Sequence, residues 1–301
     1  MHPRLLHNGE IFNTTEPLIA PGQVGFMNGW GVFSTIRVRR GVLFAFERHY
    51  RRMSRDAERL GVPFEVSQWE LESALLRLVD ANQAYDATLR VAVVRNRGGS
   101  YERPGIRRDS DIVAFTTDTV DWGETAKLTY MPNGRFSSSP FAGVKTTSWA
   151  LNLICYERAH ERGFDEVILL NERNEISECT SANVFMIEGE NVWTPPLQSS
   201  GCLPGVTRAV LIEELQIPGI SISERELMPS DLENADQVFI TSTTRDLLPV
   251  SEIEGEVLSQ TPEMLDRLRR AFTEYRNDYV ERHRRPLPAI ASLHATSSGD
   301  D

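Results

Sequence analysis

Lys145 is the one charged side chain between residues 137 and 150, and Glu178 follows 33 positions later (178 − 145) within Glu-Cys-Thr-Ser-Ala-Asn. A fold that keeps this amine and this carboxylate out of bulk water must wall both with segments from elsewhere, so the pair constrains the architecture before any element is drawn. An apolar setting penalises the ammonium form and lowers a lysine's pKa, which suits an amine that must attack an aldehyde. A carboxylate beside a pyridine ring keeps its nitrogen protonated, which suits an electron sink. Taken singly, most Lys and Glu side chains lie in water; the combination is what points to chemistry.

With 301 residues the chain can bury a substantial core in two modest domains or one large one. Its 43 acidic and 32 basic residues give a net charge of −11, which works against a nucleic-acid partner because affinity for phosphate backbones rests on clustered positive charge. The basic clusters at residues 37–40 and 48–55 are short and read as solvated strand and helix faces, with part of the second available to an anion. Six widely separated histidines without a His-x-x-x-His pattern lead us to expect no metal. Cys155, Cys179 and Cys202 are odd in number and widely spaced, so they read as free thiols in a reducing compartment. The N-terminal residues lack the apolar core of a signal peptide, and no run approaches the roughly 18 apolar residues of a membrane span. The expectation is a soluble cytoplasmic protein with no membrane partner.

Asn8-Gly9 between residues 4–7 and 10–13 predicts a tight hairpin, since both positions tolerate φ > 0. Strands are expected at 32–38 and 42–46, then a helix over 47–60 ended by Gly61 and Pro63. A second helix over 67–82 starts with a capping box, Ser67 and Glu70, and carries an apolar stripe of Leu71, Leu75, Leu78 and Val79. Strands at 88–94 and 111–116 flank a glycine-rich loop at 97–108. Periodicity stops at 118–125, where we place a linker. Beyond it come strands near 127–131, 166–170, 183–187, 192–193 and 237–241, and helices at 148–162, 206–214 and 262–282. Alternation without long βα repetition predicts an α+β fold: a small domain at 1–120, a larger one at 121–285, and a disordered tail at 286–301.

The segments Val144-Lys145-Thr146-Thr147, then residues 157–163, and Glu175-Ile176-Ser177-Glu178-Cys179-Thr180-Ser181-Ala182-Asn183-Val184-Phe185 resemble the class IV (fold type IV) pyridoxal-phosphate enzymes. That family comprises branched-chain aminotransferases, D-amino acid aminotransferases and 4-amino-4-deoxychorismate lyases, and the likeness runs from about residue 8 to 250. It implies a two-domain fold with a small N-terminal α/β domain and a larger, barrel-like C-terminal α/β domain. It also implies pyridoxal 5'-phosphate held by Lys145 as a Schiff base, Glu178 at the pyridine nitrogen, and a homodimer.

Leu203-Pro204-Gly205-Val206-Thr207 offers a glycine for close approach and the Val206 and Thr207 amides at a helix start, which favour an anion. By resemblance this turn takes the cofactor phosphate, joined by Arg52 of His49-Tyr50-Arg51-Arg52-Met53 and by Thr243 of Thr241-Ser242-Thr243-Thr244, with Thr244 near a substrate carboxylate. Phe33 and Trp149 are expected as substrate walls, and Arg90 and Arg95 as alternative carboxylate receptors, since strand alternation puts them on opposite faces. Ser34 stands where many of these aminotransferases carry a glutamate, whereas Ser34-Thr35 is compatible with the lyases. The absence of histidine from 97–108 argues against the D-amino acid enzymes. The resulting expectation is transfer of an amino group from a hydrophobic, branched-chain L-amino acid to 2-oxoglutarate, with aminodeoxychorismate lyase activity as the alternative.

Overall fold

The computed structural model describes residues 1–99 and 106–286. Residues 287–301, the bulk of the tail expected to be disordered, and the centre of the 97–108 loop lie outside the described residues. The opening hairpin pairs β1 (Arg4–His7) with β2 (Glu10–Asn13) through Asn8 at φ 51° and Gly9 at φ 87°, the double left-handed turn that suits the twist of two strands. Next come α1 (Val24–Asn28), β3 (Gly31–Arg39), β4 (Val42–Leu43), α2 (Phe46–Leu60), α3 (Gln68–Asn82), β5 (Ala87–Arg95) and β6 (Ser110–Thr117). The strands form an antiparallel sheet of order β2-β1-β6-β5-β3-β4.

Helix α3 carries the expected capping box, with the Ser67 hydroxyl accepting from the Glu70 amide, an arrangement worth about 1 kcal/mol. Strand β4 is shorter than the expected 42–46. Ala45 takes a left-handed φ of 51° and opens α2, which frees Phe44 to pack edge-on against Phe272 and Tyr279.

Strand alternation sorts this sheet into two faces. Leu89, Val91 and Val93 of β5, with Val32, Ile36 and Val38 of β3, join α2 and α3 in one core. The intervening residues Phe33, Thr35 and Arg90 turn to the other side, and Thr35 lies directly opposite Arg90 in register. One face of the sheet is therefore core, and the other is cavity wall.

Residues 118–125 hold no helix or strand, and a second sheet follows. Its elements are β7 (Ala126–Met131), α4 (Ala150–Glu161), β8 (Glu166–Leu170), β9 (Ile176–Cys179), β10 (Asn183–Glu188), β11 (Asn191–Thr194), α5 (Leu197–Ser200), α6 (Val206–Glu213), β12 (Ser221–Glu224), α7 (Pro229–Glu233), β13 (Gln237–Ser242), β14 (Asp246–Ile253), β15 (Glu256–Val257) and α8 (Pro262–Arg282). Among the described residues the strand order is β12-β11-β10-β13-β14-β7-β8-β9, with β15 on β14. Phe185, Phe239 and Leu247 on one face meet α6 and α8, while Val184, Met186, Ile240 and Leu248 on the other cluster with Leu128 and Ile168 as the sheet curls on itself. This mixed helix and strand fold is the expected one, with a barrel-like second sheet. Strands β9, β12, β14 and β15 and helices α1, α5 and α7 are short or buried on both faces, and the amphipathic pattern did not reveal them.

Candidate active site

Between the two sheets lies a cavity of about 560 Å³, lined among others by Phe33, Thr35, Arg52, Arg90, Lys145 and Glu178. Trp149, Val206, Thr207, Thr243 and Thr244 also border it. The structure thus gathers every residue singled out for cofactor or substrate except Arg95. That arginine shares strand parity with the core-facing Val91 and Val93, and at the end of β5 it swings outward. Its guanidinium sits 4.3 Å from the Trp30 ring centroid and donates to the carbonyls of Gly61 and Arg97, so it serves local structure and does not reach the cavity.

Lys145 is half-buried, and the surface it leaves to water is the cavity's. Protein surrounds its amine closely enough that burial, followed by the nearby Arg52 cation, pulls its pKa down to about 7. Glu178 and Asp56 oppose that shift, and Arg90 adds to it. The ammonium lies 4.6 Å from the Phe33 ring centroid, and Phe33 in turn meets Trp149 edge-on at 6.3 Å. Near neutral pH this amine exchanges readily between its two forms.

Glu178, at the buried end of β9, has both oxygens engaged: Arg135 Nε donates to Oε1 at 2.9 Å and the Leu203 amide donates to Oε2 at 3.0 Å. A carboxylate fixed in this way presents a steady negative charge to the cavity. Sequence reasoning missed Arg135, which lies 43 residues from its partner and in no motif.

Three segments build the end of the cavity expected to take an anion. Arg52, on the buried face of α2, donates to Ser34 Oγ at 2.8 Å, and the same hydroxyl contacts His49 Nδ1 at 2.8 Å. Burial lowers the Arg52 pKa to about 10, while its Nε is buried without a protein partner. Burial, then the cations of Arg52 and Lys145, drives the His49 pKa well down and keeps it neutral. Gly205 opens α6, whose first amides have no partner within the helix. A methyl group at position 205 would fall 2.0 Å from Asn183 Oδ1, on a side chain that also donates to the Leu203 carbonyl. Gly205→Ala should therefore destabilise the protein by about 1–3 kcal/mol through overpacking, as read from chemical denaturation. The third segment, residues 242–245, folds back on Ser242 Oγ and receives Arg37 at the Thr244 carbonyl, 2.9 Å away.

The family model for class IV amino-transferases matches residues 31–253. A D-alanine aminotransferase of Bacillus licheniformis is 26% identical over 273 residues, covering 85% of this chain and 90% of its own length. A Methanocaldococcus jannaschii chain assigned as a branched-chain-amino-acid aminotransferase is 27% identical over 282 residues, covering 90% and 96%. Among solved structures, the PLP-bound form of a hypothetical aminotransferase from Mycobacterium tuberculosis matches with a TM-score of 0.80 at 21% identity, over 91% of this chain and 99% of that one. The structural match speaks to fold alone, and the two sequence relatives are equally close to this chain, so similarity does not choose a substrate. Because the family match takes in most of both sheets and the cavity between them, the chain belongs to the class IV amino-transferases, which depend on pyridoxal 5'-phosphate.

Proposed function

We propose that this protein moves an amino group from a hydrophobic, branched-chain L-amino acid to 2-oxoglutarate, with Lys145 as the amine that carries the coenzyme. The observation supporting this most directly is the poised Lys145 amine, near pKa 7, lining one cavity with the doubly anchored Glu178 carboxylate. The donor set suits the coenzyme: an amine for its aldehyde, a carboxylate for its ring nitrogen, and an anion end of Arg52, the Val206 and Thr207 amides and Thr243. The unpartnered buried Arg52 Nε and the methyl-free Gly205 fit a phosphate at close approach. When bound, pyridoxal phosphate supplies the electron sink that makes the substrate Cα proton removable. Glu178 would keep the ring nitrogen protonated. Lys145 Nζ would take the substrate Cα proton and deliver it again as general base and acid.

Substrate recognition follows from the cavity walls. Phe33 and Trp149 offer apolar surface for a hydrophobic side chain, and Thr244 lines the cavity as the group expected near a substrate carboxylate. Among the described residues Arg90 makes no hydrogen bond or ion pair; its guanidinium rests 4.0 Å from the Phe33 centroid. A partly desolvated, unpaired cation in the cavity suits the distal carboxylate of 2-oxoglutarate. Arg90→Met should raise KM for 2-oxoglutarate about 10- to 100-fold, the value of a charged hydrogen bond, with a much smaller effect on KM for leucine. Equal effects on both substrates would remove Arg90 from this role.

A second reading, 4-amino-4-deoxychorismate lyase, is favoured by Thr35, which faces the cavity opposite Arg90. Glutamate formed from leucine, isoleucine or valine with 2-oxoglutarate supports the first activity. Pyruvate released from aminodeoxychorismate without an oxo acid selects the second, and glutamate formed only from D-alanine overturns both. We place the enzyme as a homodimer, supported by the exposed apolar residues Leu151, Leu153 and Ile154 on α4, with light scattering as the check.

A further inference from the structure

We propose that Asp56 is a positioning residue for Lys145, clamping the lysine's backbone and adding a second negative charge to the surroundings of the lysine. The inference rests on Lys145 being the reacting amine.

Lys145 belongs to no helix or strand, so the location of its Nζ depends on what grips the main chain around it. On one side the grip is β3: the Phe33 amide donates to the Lys145 carbonyl at 3.0 Å, Val32 and Thr146 form an isolated bridge, and the Thr147 amide donates to Gly31 at 2.9 Å. On the other side the grip is Asp56, whose Oδ2 accepts the Lys145 amide at 3.0 Å. Its neighbour Arg55 donates to Asp56 Oδ1 at 2.9 Å and to the Gly143 carbonyl at 3.1 Å. Two successive residues of α2 thus hold both neighbours of Val144. Arg59, one turn on, reaches the Pro140 carbonyl.

Asp56 is 1% exposed. A carboxylate in such a place is costly unless it is paired and hydrogen-bonded, and here its partners are the lysine segment and Arg55. It stands four residues after Arg52, one helical turn along the same face, so a single face of α2 supplies both the cation at the anion end and the clamp on the amine. The charged groups that act on Lys145 are Arg52 and Arg90 on the positive side and Glu178 and Asp56 on the negative side.

Two variants separate the clamp from the charge. Asp56→Asn can still accept from the Lys145 amide, with its own NH2 turned towards Arg55, and removes the charge, whereas Asp56→Ala removes both. In coenzyme-free protein, the pH midpoint for acetylation of Lys145, read by mass spectrometry of its peptide, should fall in Asp56→Asn. Hydrogen exchange across residues 143–147 should stay near wild type in that variant and quicken at least tenfold in Asp56→Ala. An unchanged midpoint in Asp56→Asn overturns the charge role, and unchanged exchange in Asp56→Ala overturns the clamp. Should Asp56→Ala not fold, Asp56→Ser, too short to span the same gap, takes its place in the exchange experiment. Since both readouts are taken without coenzyme, their failure leaves the Lys145 assignment intact; borohydride trapping tests that assignment separately.

Discussion

Lys145→Ala should cost roughly 10⁴-fold or more in turnover, because in the proposed reaction one side chain provides both the covalent attachment and the proton transfer. Borohydride reduction of the coenzyme-loaded wild type, followed by peptide mapping, should find the label at Lys145, and none should be found in the variant. Label at another lysine, or near-normal turnover in Lys145→Ala, would sink the assignment. The same residue carries a pH signature. Its folded pKa, about 7, lies below the ordinary 10.5, so between those values the unfolded chain binds more protons than the folded one. Stability of the coenzyme-free protein therefore gains a rising contribution as pH goes from about 7 towards 10. Below pH 7 the full penalty of a buried ammonium remains. Lys145→Ala should be the more stable protein near neutrality, and should lack that part of the rise; denaturation midpoints across this pH range provide the check.

Glu178→Gln should leave the coenzyme bound and slow turnover by roughly 100-fold or more. Binding would survive because the groups proposed for the phosphate, Arg52, the amides after Gly205 and Thr243, remain in place. The rate falls because a neutral amide no longer favours a protonated ring nitrogen, and a preorganised charge lost from a cavity typically costs two to three orders of magnitude. The substitution also disturbs its surroundings. Arg135 Nε and the Leu203 amide both donate to Glu178, and a glutamine can answer only one of them with its oxygen. Its amino group then faces the other donor, at a cost of about 1–3 kcal/mol. Equilibrium dialysis of the coenzyme together with single-turnover absorbance separates the two effects. Unimpaired proton transfer in a folded, coenzyme-loaded Glu178→Gln would rule out the ring-nitrogen role.

Much of this molecule was written locally. The Asn8-Gly9 turn, the Ser67 and Glu70 capping box and the end of α2 at Gly61 depend on dihedral preferences and hydrogen bonds within a few residues, and a sequence displays these directly. Lys145, Glu178 and the turn after Pro204 stood out because their residue types match a known chemistry, and the structure sets them on one cavity. What tertiary structure decided was which of these face one another and what holds them. Period-two alternation put Arg90 and Arg95 on opposite faces, but only the packed sheet assigned one to the cavity and the other to Trp30. Arg135 beneath Glu178, Ser34 between His49 and Arg52, and Asp56 at the Lys145 amide join residues 15 to 89 positions apart. No local propensity encodes such contacts, because each exists only once hydrophobic burial has brought distant strands and helices together and left their polar groups to find partners.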